Sequence, residues 1–219
     1  MRLLENLLTT DPASPRLTVY NETTGARMDF SAQTLDNWAS KIANMLGEEL
    51  DLDPSSAIAI DLPVSWQAAV TALGAVAARI EVRFGGPSAV GEVDAVFTSL
   101  ERYDAWASSG ADAVLVSDDP FGRGIEESGG TLPAGALDFG PIVRFYGDVY
   151  YGDAPALSSV VPDGTPERLL STGWTDRESF QRDVLSPIAA GGSSVVVAGR
   201  VSTSRLSEIA ENERVTARA

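Results

Sequence analysis

Residues 55–84 read SSAIAIDLPVSWQAAVTALGAVAARIEVRF, and the order of patterns within them sets the fold class. Positions 57–60 form a short apolar run of the length expected for a buried strand, closed by Asp61 and Pro63. Residues 65–79 are rich in alanine and apolar on most faces, which predicts a helix packed against a sheet. Residues 80–84 then return to strand-forming types. Strand, buried helix, strand is the unit from which parallel sheets are assembled.

The rhythm extends in both directions. Upstream, 16–20 (RLTVY) and 27–30 (RMDF) flank a loop containing Gly25 and predict a hairpin. Ser31 is placed as a helix N-cap, after which Leu35, Trp38, Ile42, Met45 and Leu46 recur on one helical face. Gly47 and the DLDP segment end that helix. Downstream, predicted strands at 94–97 and 113–116 bracket a predicted helix at 100–108. Residues 117–167, rich in Gly, Pro and Asp, break the pattern and read as a long irregular excursion. It contains one aromatic stretch, 138–151 (DFGPIVRFYGDVYY), with a short helix near 141–146. Alternation resumes with a strand at 168–172, a helix at 176–189, a strand at 194–198 and a helix at 203–212. The last residues, ERVTARA, start a further strand where the series stops. The expected fold is α/β, a mostly parallel sheet flanked by helices. It forms a single domain over 1–219, with two lobes, 1–116 and 168–219, joined by the excursion 117–167.

Composition narrows the chemistry. The 219 residues include no histidine, no cysteine and one lysine, Lys41. The usual general base near neutral pH, the usual soft nucleophile and the usual Schiff-base or phosphate-loop cation are thus absent or limited to one position. The net charge of −15 opposes binding to phosphate backbones and anionic lipid. Neither a nucleic-acid nor a membrane partner is expected. MRLLENLLTTDP lacks the apolar segment and cleavage site of a signal peptide, so a cytoplasmic location is expected.

Each local candidate has a structural alternative. Gly85-Gly86, Gly129-Gly130, Gly191-Gly192 and Gly122-Arg123-Gly124 offer backbone amides to an anion, but none has phosphate-loop spacing, and all read as turns. Asp118-Asp119 follows a predicted strand and, with Asp61 on the same edge, would hold Mg²⁺, or else simply cap the turn before Pro120. A nucleophilic serine would need Lys41 or a carboxylate as its base. Lys41 itself reads as a solvated or snorkelling side chain. Trp66, Trp106 and Trp174 read as core, whereas Phe145, Tyr146, Tyr150 and Tyr151 of the irregular segment read as an interface. No catalytic or metal-binding residue and no cofactor is assigned.

Residues 15–46 (PRLTVYNETTGARMDFSAQTLDNWASKIANML), 55–84 and 167–217 (ERLLSTGWTDRESFQRDVLSPIAAGGSSVVVAGRVSTSRLSEIAENERVTA) together resemble the first part of the AMP-forming adenylation superfamily of acyl-CoA synthetases. The match follows the superfamily's opening hairpin, first helix, strand-turn and Ala-rich helix, then the stretch after its phosphate loop. The chain most resembles short actinobacterial proteins of this type. The resemblance implies a Ser/Thr/Gly-rich phosphate loop ending in Pro-Lys between 150 and 167, where the chain reads YYGDAPALSSVVPDGTPE. It also implies an aromatic or histidine over an acyl site near Gly173-Trp174. A Tyr-Gly-x-Thr-Glu motif, a ribose-binding Asp and a mobile domain with a catalytic lysine would follow, and these 219 residues hold none of them. A truncated N-terminal lobe that has abandoned adenylation is therefore expected, acting in binding, regulation or assembly. The alternatives are a ligand-binding module with a remnant acyl or nucleotide pocket, and a small carboxylate/Mg²⁺-dependent enzyme. An unknown protein partner or self-association is expected, and the unfinished sheet edge points to a homodimer.

Overall fold

The computed structural model describes residues 3–219. Among them the chain runs through α1 (Glu5–Thr10), β1 (Pro15–Asn21), β2 (Ala26–Ser31), α2 (Ala32–Glu48), β3 (Ala57–Asp61), α3 (Trp66–Ala78), β4 (Glu81–Phe84), α4 (Pro87–Val90), β5 (Ala95–Thr98), β6 (Asp112–Leu115) and β7 (Leu137–Asp138). It continues through α5 (Phe139–Phe145), α6 (Leu157–Val160), β8 (Arg168–Ser171), α7 (Arg177–Phe180), a π turn Gln181–Leu185, α8 (Ser186–Ala189), β9 (Ser193–Ala198), α9 (Thr203–Asn212) and β10 (Ala217–Arg218). Two five-stranded sheets result, and apart from the antiparallel β1–β2 hairpin every pairing is parallel. No helix among the described residues is long and apolar enough to cross a membrane.

The chain forms two compact units. A central unit comprises Asn37–Pro63 and Gln67–Ala154; a terminal unit comprises residues 3–36, Val64–Trp66 and Pro155–Ala219. The division does not follow sequence order. β1 pairs along its length with β9, Leu17 to Asn21 against Ser194 to Ala198, so the hairpin expected in a 1–116 lobe belongs with the last third of the chain.

In the central unit the strand order is β4-β3-β5-β6-β7. Ile58, Ile60, Phe97 and Val114 are buried, and the Phe139 ring packs edge-on to Phe97 at 6.2 Å. The alanines of α3 allow close approach to α2. A Cβ on Gly74 would lie 2.4 Å from Ile42 Cγ2. The expected helix at 100–108 is only a 3₁₀ turn, Tyr103–Trp106. Asp61 draws both Arg102 and Trp106 toward the end of β3, and Ser109 Oγ takes the Trp106 carbonyl at 2.8 Å, so the turn closes before a helix can extend. The excursion 117–167 is more regular than expected, since β7 adds to the sheet and α6 forms near its end.

In the terminal unit the order is β10-β8-β9-β1-β2. Tyr20, Leu170, Val195 and Val197 line one face and pack against Ile209 and Ala210 of α9. The helical run 177–189 is buried through Phe180, Val184, Leu185 and Ile188 and touches β8 and β9. Asp176 and Ser179 form a capping box at its start. Its π turn has a local cause: Pro187 has no N–H to give to the Asp183 carbonyl, four residues earlier. The Ser194 hydroxyl supplies that bond instead, at 2.7 Å.

Candidate functional site

β3 of the central unit lies between β4 and β5, so connections leave the carboxyl edge of the sheet in opposite directions. That is the switch point where parallel sheets usually bind ligands. Asp61 ends β3 there, buried, and accepts from Arg102 Nη1 at 2.6 Å and Trp106 Nε1 at 3.0 Å. Its carboxylate ties down the 3₁₀ turn. The Arg102 side chain is half exposed, leaving part of the guanidinium toward solvent. Gly85-Gly86 follows β4 as a turn: Gly85 N donates to Ile60 O, and Gly86 O accepts from Ala89 N.

Asp118 is exposed, while Asp119 Oδ1 accepts from Phe121 N at 2.8 Å and Arg123 N at 3.3 Å. Asp119 therefore closes a turn, and its backbone carbonyl receives Gln67 Nε2 at 2.9 Å. No group of three or more carboxylates is placed to hold a metal ion among the described residues. The other glycine segments also serve turns or packing. Gly124 N donates to Glu127 Oε2 and Gly129 N to Glu126 O. Gly192 is required by space, because a Cβ there would lie 2.2 Å from Glu167 O.

Lys41 is neither solvated nor snorkelling, contrary to the expectation. Its Nζ donates to Tyr146 O at 2.6 Å and pairs with Asp148 at 2.9 Å. Asn44, one turn later on α2, gives Nδ2 to Gly147 O and Val149 O at 3.2 and 3.0 Å. The Tyr146 hydroxyl donates to Glu49 Oε2 at 2.9 Å. Burial, then the Glu49 carboxylate, push the Tyr146 hydroxyl up to about 12, so it remains a donor at neutral pH. Arg79, just past α3, donates through Nε to Asp153 O at 2.8 Å. The aromatic segment divides in two: Phe139 and Val143 are buried, whereas Phe145 and Tyr151 stand 88% and 91% exposed.

In the terminal unit, Trp66 packs on Phe30 at 5.1 Å. Trp174 is buried and packs edge-on to Phe180 at 4.9 Å. Trp174 therefore belongs to the core of this unit, as its sequence reading expects. A polar cluster that the sequence reading missed is centred on Glu213. The carboxylate accepts from Tyr20 Oη at 2.6 Å and Arg27 Nε at 2.8 Å, and pairs with Arg168. Burial raises its proton affinity, but these three donors outweigh it and hold the carboxyl below its ordinary value. No sequence spacing connects positions 20, 27, 168 and 213. By contrast, the spacing of Lys41 and Asn44 already places them on one helical face.

No family model matches the chain. It is 33% identical over 224 residues, 90% of this chain and 88% of the other, to a TIGR03089 family protein of Mycobacterium tuberculosis (strain ATCC 25618 / H37Rv). Among solved structures it is similar to an acyl-CoA synthetase of Brucella canis, with a TM-score of 0.71 and 16% identity over 95% of this chain and 45% of that one. A benzoate CoA ligase from Burkholderia xenovorans LB400 gives a TM-score of 0.70 and 13% identity, covering 98% of this chain and 48% of that one. The acetoacetyl-CoA synthetase of Streptomyces lividans gives 0.71 and 16%, covering 100% and 42%. The fold is that of part of an acyl-CoA synthetase, and the chain spans about half the length of these solved enzymes.

Proposed function

The chain belongs to the TIGR03089 family, and on that premise we propose that it is a non-catalytic protein of the adenylation fold, acting in binding or assembly. One observation carries the reading: its single lysine is committed to Tyr146 O and Asp148. The resembled superfamily ends its phosphate loop in Pro-Lys, placing a cation where the nucleotide phosphates sit. Residues 150–167 contain no lysine, and Lys41 is held by a different segment. A chain without cysteine needs no oxidising compartment to fold, which agrees with work in the cytoplasm.

ATP–pyrophosphate exchange over a panel of carboxylic acids and amino acids tests the proposal, with an intact acyl-CoA synthetase as positive control. No exchange above the protein-free background is expected. Acid-dependent exchange that tracks protein concentration would refute it.

A second reading, ligand binding without turnover, is favoured by Asp61 and Arg102 at the switch point. It expects saturable heat on titration with AMP or a short carboxylic acid, lost in Arg102→Gln. A flat titration excludes it.

A further inference from the structure

Phe145 and Tyr151 are among the most exposed large side chains of the described residues, and Val149 between them is 48% exposed. Rings left in water on a loose loop would need no explanation, but this backbone is fastened. Lys41 and Asn44 bind the carbonyls of residues 146, 147 and 149, and Arg79 binds that of Asp153. Phe145 ends α5 immediately before the first of these contacts. Tyr151 lies between the last two. The chain's only lysine is thus used to hold a display of apolar side chains. Anchors presented in one conformation lose little entropy when a partner arrives.

We propose that Phe145, Val149 and Tyr151 form a docking surface for a cationic, arginine-containing peptide segment of another protein. Charge selects this occupant. The chain carries −15, so a second copy is repelled and a basic segment attracted. Glu48 and Glu49 act on Tyr146 from the end of α2, adding a local negative field. Asp148 and Asp153 are already paired with Lys41 and Arg79 and serve to hold the segment. The planar guanidinium stacks on aromatic faces more readily than an ammonium, which sets arginine above lysine. The proposal rests on reading the chain as a binding protein, and its test is independent of the exchange assay because it reads peptide binding with no nucleotide present.

Fluorescence anisotropy with a labelled dodecapeptide of alternating Arg and Ala tests it, beside Lys/Ala and Glu/Ala counterparts. The Arg peptide is expected to bind saturably and more tightly than the Lys peptide, and the Glu peptide not at all. Phe145→Ala with Tyr151→Ala should weaken the Arg peptide by about tenfold while leaving circular dichroism and melting unchanged, since both rings are exposed. Lys41→Met, which keeps the rings but releases the segment, should weaken it by about threefold. Three results overturn the proposal. These are no saturable binding of the Arg peptide, affinity unchanged in the double ring variant (attraction by net charge only), and a wild-type dimer in light scattering that Tyr151→Ala dissociates.

Discussion

Glu213→Ala should destabilise the terminal unit more than any exposed substitution. The carboxylate follows α9 and is 7% exposed, against 42% for Arg27 and 20% for Arg168. Removing it takes the shared acceptor from Arg27, Arg168 and the Tyr20 hydroxyl and loosens the end of α9 from β1, β2 and β8, although Arg27 keeps Asp29 and Arg168 keeps Ser193 and Thr18. Breaking a buried pair costs roughly 3–5 kcal/mol when the remaining charge is sealed from water. Water reaches Arg27 and, to a lesser extent, Arg168, so about 3 kcal/mol is expected. For a chain of this size that lowers Tm by roughly 6–12 °C. Glu213→Gln, which keeps the shape and one acceptor, should lose about half as much. Urea unfolding followed by circular dichroism gives the global figure, and native-state hydrogen exchange at β1 and β8 assigns it to this unit. The folded-state pKa of Glu213 lies below its ordinary 4.5. Its contribution is therefore present above pH 4.5 and is lost as pH falls through the folded value, so wild type and variant should converge in acid. The reasoning fails if Glu213→Ala is within about 0.5 kcal/mol of wild type at pH 7, or if the gap persists unchanged at pH 3.

Other substitutions probe separate links. Gly74→Ala gains helix propensity but drives a methyl into Ile42, whose branched side chain is stiff, so a net loss of about 1–2 kcal/mol is expected in urea melts; in a double-mutant cycle the same change made in an Ile42→Ala background should cost less. Lys41→Met should cost about 1 kcal/mol and accelerate amide exchange across residues 146–149, with little change in β3 or β5. Burial raises the Asp36 carboxyl from 3.8 to about 6. Its favourable contribution is therefore complete below pH 3.8 and lost as pH rises through 6. Asp36→Asn should accordingly gain on wild type by about 2 kcal/mol between pH 4 and pH 8 in urea titrations, and a difference that stays constant across that range would rule this out.

Much of the fold was legible because its signals are local. The hairpin, α2, β3, α3, β4, β5, β6, β8 and β9 lie within a residue or two of their expected positions, whereas β7 was not expected. The helix expected at 100–108 failed where a distant carboxylate, Asp61, intervened, whereas Trp174 is buried against Phe180, in keeping with its reading as core. The aromatic segment reads as an irregular interface from its sequence, and only packing divides it: Phe139 sits in the core and Phe145 in water.

By itself the sequence determined the strand and helix types, the parallel α/β class and the shortage of catalytic side chains. These depend on composition and on the fixed periods of strand and helix, which any short window reveals. Tertiary structure alone decided that the N-terminal hairpin joins β9, that Glu213 gathers Tyr20, Arg27 and Arg168, and that Lys41 fastens residues 146 and 148. Such partnerships form between groups far apart along the chain and arise only when packing brings them within hydrogen-bonding reach. No local period encodes that distance.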